Sequence, residues 1–115
     1  EIMGYRSDVA IALTHSEAIL LKELSDSDED LKELLDMACI SEHWPPEDEG
    51  YITKLKWEYQ KWYETFPDVF AMTRFMNNID GENYRFLRIG EEPNDIEEEG
   101  YLECDGMYIQ RYIEL

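Results

Sequence analysis

The sequence predicts an α+β domain: an antiparallel or mixed sheet with helices packed on one face, in a ferredoxin-like arrangement with an added C-terminal hairpin. Segments of period-two hydrophobicity alternate with segments of helical periodicity, in the order strand, one long or two short helices, strand, helix, then three short strands. The strong turn signals fall between those segments. The chain has 115 residues, 43% hydrophobic and 13% aromatic, so one domain spanning residues 1–115 can bury a core without staples.

The first strand is SDVAIALT, in which Val9, Ile11 and Leu13 alternate with Ala10 and Ala12. Both of its faces are apolar, which places it centrally in a sheet. Thr14 and Glu17 form the pattern of a capping box, opening a helix that carries Ala18, Leu21 and Leu24 inward and ends near Ser25. A second helix follows, capped by Ser25 or Ser27, with Leu31, Leu34, Leu35 and Ala38 on one stripe. Consecutive prolines make SEHWPPEDEG a loop. In YITKLKWEY, period two puts Tyr51, Thr53, Leu55, Trp57 and Tyr59 on one face of a half-buried strand. Thr65, Pro67 and Asp68 mark a helix start, Val69, Met72, Met76 and Ile79 line that helix, and NNIDG stops it. NYRFLRI, YLEC and MYIQRYIEL read as strands, the last two joined at Asp105-Gly106.

Composition excludes several classes. Ten Lys and Arg against 28 Asp and Glu, a net charge of -18, do not build the basic patch that direct nucleic-acid binding requires. Lys54, Lys56 and Lys61 read as a solvated sheet face. No apolar run reaches membrane-spanning length. The first residues carry no secretory pattern, and Met3 reads as the natural start behind Glu1 and Ile2. Cys39 and Cys104 suit neither a disulfide scaffold nor a redox pair, and Cys39 with His43 falls short of a zinc site, so reduced, buried thiols are expected. Asp26, Asp28 and Asp30 imitate the start of a calcium loop, but Leu31 and Met37 occupy the positions that need Gly and Glu. No nucleotide-binding loop, metalloprotease helix or nucleophile elbow is present. The expectation is a binding protein with no catalytic residue, cofactor or metal.

The acidity is segregated. Residues 23–49 carry eleven acids against Lys32, and residues 91–105 carry eight against none, which accounts for the whole net charge. Acidity serving solubility alone mixes with the opposite sign, so blocks indicate faces. The candidate partner-binding residues are Asp28, Glu29, Glu33 and Asp36 in the first block and Glu91, Glu92, Asp95, Glu97, Glu98 and Glu99 in the second. Extended, the second block sets Glu97 and Glu99 about 6.6 Å apart on one side. Helical acids three or four apart lie about 5–6 Å apart, and phosphate spacing is of the same order. Such rows fit a groove built for nucleic acid.

MGYRSDVAIALT (residues 3–14) resembles the opening of a family of small acidic phage and prophage proteins, and RIGEEPNDIEEEG (residues 88–100) is similar to its acidic segment. The helical stretch 23–43 has no match in that pattern. The resemblance implies an inhibitor of host defence, of anti-CRISPR or other DNA-mimic type, acting in the cytoplasm of the infected bacterium. The implied partner is a defence protein with a basic groove, a CRISPR-Cas effector or nuclease. A small enzyme with an acidic metal-binding cleft and a phage protein acidic only for solubility stay open as other classes.

Overall fold

A computed structural model describes residues 4–40, 44, 49–104 and 107. Its elements are β1 (Ser7–Leu13), α1 (His15–Ser27), α2 (Glu29–Asp36), β2 (Cys39–Ile40), β3 (Thr53–Gln60), α3 (Pro67–Asn77), a 3₁₀ turn (Gly81–Asn83), β4 (Tyr84–Ile89) and β5 (Ile96–Gly100). The strands form one sheet of order β2-β3-β1-β4-β5, and every pairing is antiparallel. The α+β class therefore holds. The strand order is compatible with the split βαβ feature of the ferredoxin-like expectation, since β3 lies antiparallel between β1 and β2 and β1 antiparallel between β3 and β4; the finer ferredoxin-like arrangement is not confirmed.

β1 is central, as its doubly apolar sequence requires. Val9, Ile11 and Leu13 face the helices with Leu55, Trp57, Tyr84 and Phe86, and meet Leu21, Leu31, Leu34, Val69, Met72 and Phe75. Ala10 and Ala12 face the other way, where Leu87, Ile52, Leu102, Cys104 and Met107 cover them. Small residues on that side let the thinner layer approach closely. Trp57 ties sheet to helix by donating its indole N–H to the Leu34 carbonyl at 2.8 Å, so burial leaves no orphaned donor.

Local chemistry differs from the sequence expectation at several places. Thr14 precedes α1 but its side chain caps nothing: its hydroxyl is buried without a partner, while Glu17 accepts from Asn83 Nδ2 at 3.0 Å. Tertiary bonding has taken the capping glutamate. α1 runs on to Ser27 and leaves Leu24 exposed, and the cap of α2 is Asp28, whose Oδ1 accepts from the Asp30 and Leu31 amides, in place of either serine. A carboxylate there satisfies two orphan donors and meets the positive helix end.

Tyr59, expected inside, is exposed. The β1–β3 register slips between Ser7 and Val9, Tyr59 takes φ 53°, and its ring turns out under the Arg6 guanidinium. A bulge reverses the side on which the next residue lies. Pro67 opens α3 at its first turn, as the pattern predicts, and Val69, Met72 and Met76 are buried along it. YLEC, expected as a strand, is not one: the strand here is β5, the acidic segment itself, which stops at Gly100, whose φ is +81°. A Cβ at Gly100 would collide with the Tyr84 carbonyl oxygen. Cys39 is exposed and Cys104 half-buried, both free, against the expectation of two buried thiols. His43, the Asp105-Gly106 turn and most of the final strand lie outside the described residues.

Candidate functional site

The two acidic blocks occupy different elements and meet different fates. Residues 91–100 form the β4–β5 turn and β5, the last strand on that side of the sheet among the described residues. In the register Arg88 faces Glu97, Leu87 faces Glu98 and Phe86 faces Glu99. Alternation therefore sends Glu97 and Glu99 to the helix side and Glu98 to the opposite side, and the three glutamates are not one row.

Much of this block is paired. Arg88, its side chain only 13% exposed, donates from Nη2 to Asp95 Oδ1 at 2.6 Å and from Nη1 to Asp95 Oδ2 at 3.2 Å. Its Nε donates to Glu97, and Nη1 also reaches Ser7 Oγ at 2.9 Å. The planar guanidinium is suited to this forked pairing, which an ammonium would not match. Burial works against the Arg88 charge, but the hydrogen bonds and charges of Asp95 and Glu97 outweigh it and raise its pKa.

Tyr5 closes the other side. Its hydroxyl donates to Asp95 Oδ2 at 2.6 Å and accepts from the Glu92 amide at 3.0 Å, while its own amide donates to the Tyr63 hydroxyl at 2.6 Å. Because the neutral phenol is the donor to a carboxylate, that hydrogen bond foremost holds the Tyr5 pKa up. Gly90 is the one residue that fits beneath this contact, since a Cβ there would strike Asp95 and the Tyr5 hydroxyl. Glu91 accepts from the Arg6 amide at 2.7 Å, and Glu98 pairs with Arg85 at 3.2 Å. Burial, then the Glu99 charge, pushes the Tyr84 phenol up.

Arg85 and Arg88 are the residues that sequence reasoning missed. The signal was present: turn formers Pro93, Asn94 and Asp95 lie between NYRFLRI and IEEEG, so a hairpin folds two arginines against a glutamate run.

The first block sits on α1 and α2. Leu31, Leu34 and Leu35 anchor α2 in the core, which leaves Glu29, Glu33 and Asp36 exposed. These three follow the i, i+4, i+7 spacing of a single helix face, a row about 10 Å long at the α-helical rise. Among the described residues none of them forms an ion pair, whereas Asp26 pairs with Lys22 at 2.6 Å. Asp28 is half-buried and engaged as the α2 cap.

Two concave regions adjoin the blocks. A cleft of about 470 Å³ has Trp62, Met76 and Phe86 among its walls and Glu64, Arg88, Asp95, Glu97 and Glu99 as charged lining. A groove of about 530 Å³ runs between the α1–α2 elbow and α3. Among the described residues no group of three or more His, Cys, Asp or Glu is arranged to hold a metal, and no helix is long and apolar enough to cross a membrane. No protein-family model, curated protein or solved structure matches the chain.

Proposed function

We propose that the protein is a phage-encoded inhibitor that occludes the basic nucleic-acid-binding groove of a host defence protein, a CRISPR-Cas effector or nuclease. The observation that carries this reading is the α2 row: Glu29, Glu33 and Asp36, unpaired among the described residues, on a helix pinned by three buried leucines. Carboxylates on a rigid element bind without ordering a loop first. Their spacing of about one helical turn approximates that of backbone phosphates, and the net charge of -18 steers them toward a positive groove. The β5 block adds field and a rim but is partly neutralised by Arg85 and Arg88. The α2 face is thus the principal contact, acting inside the infected bacterial cell.

The test starts with low-salt capture from host lysate and purification of the captured partner. Its binding should weaken steeply with salt and be displaced by DNA or RNA duplex. The triple variant Glu29→Lys, Glu33→Lys, Asp36→Lys should lose at least about 30-fold in affinity with its melting temperature retained. The matching Glu97→Lys, Glu98→Lys, Glu99→Lys variant should lose less, after allowance for the stability it forfeits at Arg88. If both variants bind and inhibit like wild type, the carboxylates are only solvated surface.

A further inference from the structure

We propose that the groove between the α1–α2 elbow and α3 docks an apolar side chain carried on a Lys/Arg-flanked segment of the protein partner. This rests on the reading above and supplies what charge pairing lacks, a specific anchor. The groove is lined by Leu24, Leu31, Phe70 and Phe75, with Asp28 and Asp30 on its rim. Phe70 is 53% exposed and Leu24 42% exposed, on helices that bury Ala18 and Leu21 (α1) and Val69, Met72, Phe75 and Met76 (α3). The reason is local. The buried stripe of α1 is Ala18, Leu21 and Ser25, which leaves Leu20 and Leu24 one turn apart on its flank, and Phe70 lies on the flank of α3 away from Val69 and Met72.

The occupant follows from charge. The lining holds Asp28 and Asp30 against Arg74, and residues 23–36 around it carry seven carboxylates against Lys32, with Asp26 paired to Lys22, so the surroundings of the groove are net negative. A second copy would bring the same acidic rim against itself, and an anionic lipid surface would be repelled in the same way. A segment with cations flanking an apolar residue satisfies both parts of the site: the side chain covers Leu24 and Phe70, and the cations meet Asp30 and the neighbouring Glu29–Glu33 row. Arg74 lies over Phe70, at 5.9 Å from the ring centroid, and the ring keeps half of its surface exposed. Binding hot spots cluster where side chains fill well-packed, desolvated pockets ringed by contacts that exclude water.

The test uses two synthetic peptides of equal length and positive charge, one Lys/Leu and one Lys/Ser, titrated into the full chain. Affinity is read by fluorescence anisotropy and contact by amide and methyl NMR shifts. The Lys/Leu peptide should bind roughly tenfold more tightly, the value of one modest apolar anchor, with shifts centred on Leu24, Leu31 and Phe70. Phe70→Ser and, separately, Leu24→Gln should remove that difference and leave Lys/Ser binding unchanged. Both residues are exposed, and an unaltered melting temperature confirms that each variant is folded. Equal affinity of the two peptides overturns the groove while leaving the acidic face intact. If neither peptide binds, or shifts lie elsewhere, the groove assignment also fails, and absence of any cationic binding takes the acidic face with it. Dimerisation in sedimentation that Phe70→Ser abolishes identifies a second copy as the occupant and refutes the proposal.

Discussion

Replacing Arg88 by Met keeps the aliphatic stem and removes the charge that holds β5 against β4. The donations of Arg88 to Asp95, Glu97 and Ser7 are lost and the guanidinium between the two carboxylates is gone, while Asp95 keeps the Tyr5 hydroxyl. Breaking a fully buried pair by removing one partner costs about 3–5 kcal/mol. Here the Asp95 and Glu97 side chains are 31% and 41% exposed, so water recovers part of that loss. The expected destabilisation is about 2–3 kcal/mol, a fall in melting temperature of roughly 8–12 °C for a chain of this size. Urea denaturation followed by far-ultraviolet circular dichroism measures it. A second arm adds Asp95→Asn: the double variant should be less destabilised than the sum of the singles, because Asp95 and Arg88 touch. Additional salt should narrow the gap to wild type by screening the freed carboxylates. An Arg88→Met protein within about 0.5 kcal/mol of wild type would refute the view that this arginine neutralises the β5 block.

Three further outcomes are expected. Asp28→Ala should cost about 1 kcal/mol in urea denaturation through loss of the α2 cap, whereas Thr14→Ala, which removes a buried hydroxyl without a partner, should cost nearly nothing or stabilise; equal losses would contradict the cap assignment. Gly100→Ala should cost about 1–2 kcal/mol or more, since a Cβ at φ +81° meets the Tyr84 carbonyl, and a neutral result in the same assay would contradict that close approach. The phenols of Tyr5 and Tyr84 are held above their ordinary value of 10.0, so their stabilisation is complete below that pH and is lost as pH rises through the higher folded-state values. Wild type should therefore lose stability in strongly alkaline solution, and Tyr5→Phe should lose it less steeply; parallel pH profiles would exclude Tyr5.

Period and punctuation were sufficient for much of this fold. The doubly apolar β1, the leucine stripe of α2, the Pro67 start of α3 and the alternation of β3 up to Trp57 are consequences of side-chain period within one element, and a single sequence carries that information. The segregation of carboxylates into two blocks was legible for the same reason, and so was the exposure of Glu29, Glu33 and Asp36 opposite the leucines. What depended on tertiary structure was the partner of each group. Glu17 left its capping role for Asn83, a bulge turned Tyr59 outward, and Arg85 and Arg88 came across a turn to neutralise part of a block that reads as uncompensated charge. Those outcomes rest on atoms brought together from distant or turn-separated positions, where a hydrogen bond or ion pair outweighs local propensity. Sequence spacing encodes the face on which a carboxylate lies; only the packed chain decides whether a counter-ion is waiting there.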